Sequence, residues 1–94
     1  MATVMVMHWP GTTKEQYEAL RREINFEGNK PAGAKYHLAW ATPEGMRVVD
    51  CWESEAAFQK FAETRIMPAA AKLKIPGQPK IELFPTHNVF APNP

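Results

Sequence analysis

The stretch GMRVVDCWESEAAFQKF, residues 45–61, changes period in its middle. Met46, Val48, Asp50 and Trp52 alternate with Arg47, Val49 and Cys51. Period two in β-branched and aromatic residues reads as a strand with two opposite faces. At Ser54 the pattern switches. The Ser54 hydroxyl suits an N-cap, Glu55 puts a carboxylate in a first turn, and Phe58, Phe61 and Ala62 fall at helical spacing. One face of the strand must therefore meet this helix. Asp50 is the odd residue, a carboxylate among apolar neighbours, and marks where chemistry is expected.

Working back from this stretch, TPEG at Thr42–Gly45 is a turn, with Pro43 suited to its second position. AKYHLAWA at Ala34–Ala41 is the strand before it. A hairpin closing around Pro43-Glu44 sets Ala41 opposite Met46, Ala39 opposite Val48 and His37 opposite Asp50. A bulge in the turn would break that register. The other face receives Tyr36, Leu38, Val49 and Cys51, the more apolar set. That set is expected under the helices, with Cys51 buried and inert. His37, Ala39, Val48, Asp50 and Trp52 are expected on the opposite face, which a second subunit would cover.

Further upstream, TVMVMHW at Thr3–Trp9 alternates as a first strand, with Val4, Val6 and His8 on one face and Met5, Met7 and Trp9 on the other. Pro10-Gly11 ends it. Thr12 or Thr13 caps a helix, with Glu15 or Gln16 completing a capping box. Tyr17, Leu20 and Ile24 form its buried stripe, and Glu18 and Arg22 an outward pair worth about 0.3–0.5 kcal/mol. Asn25–Gly33, broken by Gly28, Pro31 and Gly33, is a loop. Downstream, Pro68 either kinks the second helix or starts a short further one, Pro68–Leu73. Ile75–Lys80 is a loop, Ile81–Phe90 a last strand broken or bulged at Pro85, and Ala91–Pro94 a tail. The order β-α-β-β-α-β implies an α+β, ferredoxin-like fold with both helices on one sheet face. The bare face calls for a partner, and a homodimer is expected.

The totals bound the rest. The 94 residues, 1–94, are expected to form one domain, whose core is thin because a chain this short buries only roughly 60–65% of its unfolded surface. The net charge of +1 and the absence of a basic patch argue against a nucleic-acid partner. Cys51 is the single cysteine, so neither an internal disulfide nor a paired-cysteine metal site is available, which fits a cytoplasmic protein. Met1–Trp9 lacks a basic leader region, and no apolar run approaches the roughly 20 residues of a membrane span.

The element order at this length, RVVDCWESEAAFQKF after the hairpin, PG-T at the first helix start and P-x-H in the last strand together resemble the dimeric α+β barrel superfamily. Within it the chain is most similar to small proteins of the antibiotic biosynthesis monooxygenase (ABM) type, over roughly residues 3–90. The resemblance implies two sheets packed across a twofold axis, with a pocket in each subunit between sheet and helices or within the barrel. Its members include cofactor-free monooxygenases of polyketide quinone synthesis, heme-degrading monooxygenases, cyclases and isomerases. Heme degraders take an axial histidine from a helix; Ser54–Leu73 has none, so no cofactor is expected. The cofactor-free enzymes use a strand Asn and Trp near the substrate. Trp52 matches that Trp by type, and the first strand has no Asn.

His37, Asp50 and His87 are the candidate catalytic residues. A carboxylate fixes the tautomer of a neighbouring imidazole and favours its protonated form, which makes a base or acid near neutral pH. The same His37–Asp50 pair could equally serve only to join two strands. His87 follows Pro85, where a bend would re-aim its side chain. Among cyclases of the superfamily a late-strand His works with a Tyr, for which Tyr17 and Tyr36 are candidates by type. Trp9 and Trp52 could hold a planar ring, with Met5 and Met7 as adaptable pocket lining; packing is the ordinary use of all four. No metal is expected, since no histidine pair has ligand spacing. The expected ligand is a small hydrophobic molecule, aromatic or polyketide-like. The expected activity is a cofactor-independent monooxygenation, with a His-based cyclase or isomerase, or a non-catalytic dimer, as alternatives.

Overall fold

The structure, a computed structural model, describes residues 2–90; the Ala91–Pro94 tail read from the sequence lies outside the described residues. The elements are β1 (Thr3–Pro10), α1 (Lys14–Ile24), β2 (Ala34–Thr42), β3 (Gly45–Trp52), α2 (Glu55–Phe61), a π-helical segment (Ala62–Ile66), α3 (Met67–Lys72) and β4 (Lys80–Pro85). The order is β-α-β-β-α-β with the second helix in three pieces. The sheet runs β2-β3-β1-β4 and every neighbouring pair is antiparallel. Among the described residues no helix is long and apolar enough to cross a membrane.

Local chemistry sets the helix ends. Of the two threonines, Thr13 caps α1. Its hydroxyl accepts from Gln16 N–H at 3.1 Å, and the Gln16 side chain accepts from Thr13 N–H at 2.8 Å. Ser54 caps α2 through Ala57 N–H. The Glu18–Arg22 pair does not form; Glu18 pairs with Arg21 instead, at 3.3 Å. Arg21 is drawn there because Glu27, in the following loop, takes two of its guanidinium nitrogens. Pro68 falls in the first turn of α3, the start rather than the kink. Just before it, Met67 N–H donates to Ala62 C=O, five residues back. That wide turn aligns Phe61 with Ile66, and both point to the core.

The β2–β3 register is the one read from the sequence: Ala41 pairs with Met46, Ala39 with Val48 and His37 with Asp50. The turn is tight, and the bulge lies at the other end, around Lys35. Gly45 closes the hairpin at φ +141°, where a Cβ would lie 2.2 Å from the Trp9 carbonyl oxygen. Only glycine lets the turn sit against β1.

The expected faces are reversed. The helices cover Met5, Met7 and Trp9 of β1 and Val48, Asp50 and Trp52 of β3, packing Leu20, Phe58, Phe61, Ile66, Ala69 and Ala70 onto them. Tyr36, Leu38, Trp40 and Phe84 lie exposed, and Cys51 is only half-buried, paired with Tyr36 away from the helices. β1 decides the matter. Met5 pairs with Asp50 and Met7 with Val48, so the large side chains of β1 bring the His–Asp pair to the helix side. Their volume fills a core that the short apolar residues of the other face would not. β4 ends earlier than expected, at Pro85; one more bond in the same register, Thr86 N–H to the Ala2 carbonyl at 2.9 Å, follows before the chain leaves the sheet.

Candidate functional site

Four side chains form one hydrogen-bonded chain beneath the helices. Asp50 is 5% exposed, yet both its carboxylate oxygens are used: Oδ1 meets His37 Nδ1 at 2.7 Å and Oδ2 accepts from Trp52 Nε1–H at 3.0 Å. A buried carboxylate persists because it is paired in this way. On the other side of the imidazole, His37 Nε2 meets the Tyr17 hydroxyl at 2.6 Å. An ionised Asp50 only accepts, so Nδ1 carries a proton, and in the neutral ring Nε2 is left to accept from Tyr17 O–H. The Tyr17 and His37 rings lie nearly parallel, 6.2 Å apart, and Phe26 tilts against His37 at 4.8 Å. Burial pushes the Tyr17 phenol up to about 12, helped by the charges of Glu18, Glu27 and Asp50 and opposed by Arg21. Arg21 in turn holds the Glu27 carboxyl below its ordinary range, chiefly by hydrogen bonding.

These groups open onto a cavity of about 460 Å³ between sheet and helices. That volume suits a small-molecule site. Met5, Met7, Trp9, Leu20, Val48 and Phe61 make its apolar walls; Tyr17, His37 and Asp50 give the polar patch; Arg21, Glu27, Lys30 and Lys35 are its charged groups. The Trp9 indole N–H and the Thr12 hydroxyl, at the β1 end, are sealed from solvent and have no hydrogen-bond partner among the described residues. Among those residues no group of three His, Cys, Asp or Glu side chains could hold a metal ion.

Of the residues singled out from the sequence, His37, Asp50, Trp9, Trp52, Met5 and Met7 all line this cavity. His87 does not join them. It is exposed beyond the end of β4, because Thr86 ties the chain back to Ala2 through its N–H and its hydroxyl, both 2.9 Å from the Ala2 carbonyl oxygen. Tyr17, read from the sequence as part of the packing stripe of α1 and, by type, as a candidate partner of a late-strand histidine, meets His37 instead. The available signal was the hydroxyl itself: a tyrosine on a buried stripe needs a polar partner.

No protein-family model and no curated protein sequence matches the chain. Solved structures do. A protein of unknown function from Nitrosomonas europaea, NE2512, superposes with a TM-score of 0.72 at 18% identity, covering 99% of this chain and 95% of its own. SnoaB from Streptomyces nogalater, described as a cofactor-independent oxygenase, gives 0.64 at 15% identity over 94% of each chain. The chain has the ABM-type α+β fold. A third neighbour with this fold, the monooxygenase from the gene ActVA-Orf6 of Streptomyces coelicolor, was solved with nanaomycin D bound; it gives a TM-score of 0.58 at 19% identity, covering 98% of this chain and 92% of its own. Within the ABM-type fold of this chain, Trp52 closes β3 just before the cap of α2. There its indole packs edge-on to Phe58, 5.7 Å away, and holds Asp50 in place.

Proposed function

We propose that the chain is a cofactor-independent, monooxygenase-like enzyme acting on a small hydrophobic aromatic or polyketide-like molecule. The observation that carries this reading is the Tyr17–His37–Asp50–Trp52 chain ending on an apolar cavity. A phenolic or enolic hydroxyl beside Tyr17 gives its proton to the Tyr17 oxygen while Tyr17 passes its own to His37 Nε2. Asp50 stabilises the imidazolium that forms, and Trp52 fixes Asp50. The dry walls leave the resulting anion poorly solvated and electron-rich, ready to react with O₂. The balance is AH₂ + O₂ → A=O + H₂O: one oxygen atom enters the ring, and the other leaves as water with the two substrate hydrogens. The names carried by SnoaB and ActVA-Orf6 support an oxygenase of this kind. A proton relay needs no oxygen, so the same geometry also supports a cyclase or isomerase. We further place the protein in the cytoplasm, as its lone free thiol suggests, and infer that it acts as a homodimer through the apolar outer sheet face.

An oxygen electrode with a hydroxyanthrone substrate tests the reading. We expect O₂ uptake matched mole for mole by quinone, and His37→Ala and Tyr17→Phe each slowing it by roughly 10²–10⁴-fold, the usual share of general acid–base catalysis. Turnover without O₂ uptake would move the assignment to the cyclase or isomerase. No turnover, with ligand affinity unmoved by His37→Ala, would leave a non-catalytic dimer.

A further inference from the structure

A second groove, of about 270 Å³, adjoins the cavity and shares Lys30, Pro31 and Phe61 with it. The two are chemically unlike. The groove is lined by three cationic side chains, Lys30, Lys60 and Arg65, against one carboxylate, Glu53. Among the described residues none of the three cations forms an ion pair, whereas Arg21, the cavity's own arginine, is taken up by Glu18 and Glu27. Arg65 is also held in position. Its Nη2 donates to the Ile24 carbonyl at 2.7 Å and, at 3.4 Å, to that of Asn25, which ends α1, and its guanidinium lies 5.3 Å from the Phe61 ring centre. Its Nε and Nη1 have no acceptor among the described residues. Thr64, also in the groove, gives its hydroxyl to the Lys60 carbonyl.

We propose that this groove binds an anionic oxygen group, such as a carboxylate or sulfonate, carried by the same molecule whose ring fills the cavity. The inference rests on the reading of the cavity as a ring-binding site, and it narrows the ligand to an acid of that ring class. Lys30 and Phe61 belong to both spaces, so a substituent leaving the ring past them arrives among the cations. Arg65, fixed by the carbonyls that end α1, presents a guanidinium whose ordering cost is already met.

The test uses two fluorescent probes with one skeleton, 8-anilinonaphthalene-1-sulfonate and its uncharged counterpart N-phenyl-1-naphthylamine. At about 20 mM salt the sulfonate binds more tightly, by about three- to tenfold, and the margin shrinks at about 200 mM salt. Lys60→Ala, at a lysine that lines the groove and not the cavity, narrows the gap between the two affinities while the neutral probe keeps its own; the side chain is exposed, so the fold is retained. A sulfonate preference left undiminished by Lys60→Ala overturns the proposal, because the anion then sits elsewhere. Equal affinities in the unsubstituted protein overturn it too, and leave the cavity reading standing. If neither probe binds, the ring-binding cavity fails and the groove proposal falls with it.

Discussion

At the scale of single residues, Tyr17 has two roles in one side chain. Its ring packs beside His37, and its hydroxyl ends the hydrogen-bonded chain in the cavity. Burial favours the neutral phenol, so the folded state keeps this proton up to about pH 12, while an unfolded tyrosine releases it near 10. Above pH 10 the folded state therefore binds more protons than the unfolded one, and stability falls as pH rises from 10 through about 12. The loss is partial, because the ring is half-exposed and solvent screens the effect. Tyrosinate absorbance at 295 nm, titrated for the protein and for Tyr17→Phe, should differ by one late step near pH 12. A difference curve centred near 10 would mean the phenol is not held by its surroundings. The neighbouring pair was legible in advance: period two and a four-residue turn place His37 opposite Asp50. Tyr17 was not. Nothing in a linear pattern ties a residue of the first helix to a strand 20 positions on, since that contact depends on which sheet face the helices choose.

At the scale of elements, that choice is where apolarity misleads. Tyr36, Leu38, Val49 and Cys51 outscore His37 and Asp50 in hydrophobicity, yet the helices settle on the other side. Both faces are apolar enough for burial, so the mean of one hairpin does not discriminate. Side-chain volume on the neighbouring strand does, through the pairing of Met5 with Asp50 and Met7 with Val48. The cost of a polar pair under the helices is met because each carboxylate oxygen of Asp50 accepts a hydrogen bond. The hairpin end is the rigid point of this arrangement. Gly11 N–H donates to the Glu44 carbonyl at 2.8 Å, and Gly45 lies against the Trp9 backbone. Gly45→Ala forces that contact apart at a φ that alanine avoids. Its expected cost is roughly 2–4 kcal/mol, read as a lower urea midpoint with an unchanged slope. A loss below about 0.5 kcal/mol, the range of an ordinary surface substitution, would show that β1 and the turn separate freely.

At the scale of the whole molecule, the reversed faces separate assembly from chemistry. Tyr36, Leu38, Trp40 and Phe84 are each between 45% and 58% exposed, and half-buried Val4, Val6 and Val49 lie between them across the sheet. A soluble monomer rarely carries so continuous an apolar surface. A second copy laid across it would complete a barrel, and the protein should then sediment at twice its chain mass at micromolar concentration. Leu38 is the sharpest probe, since it is the most exposed of the four and is not among the residues lining the cavity. Leu38→Glu places an unpaired charge in the interface, which costs about 3–5 kcal/mol and weakens the dimer by roughly 10²–10⁴-fold. Sedimentation should show a monomer, and circular dichroism an unaltered fold. A protein that is monomeric before substitution rules out the barrel, and a variant that stays dimeric moves the interface elsewhere. The cavity is walled by one chain and lies on the other side of the sheet. Leu38→Glu should therefore still bind the neutral probe N-phenyl-1-naphthylamine with its original affinity. Had His37 and Asp50 stood on the outer face, splitting the dimer would have opened the site and binding would have gone with it.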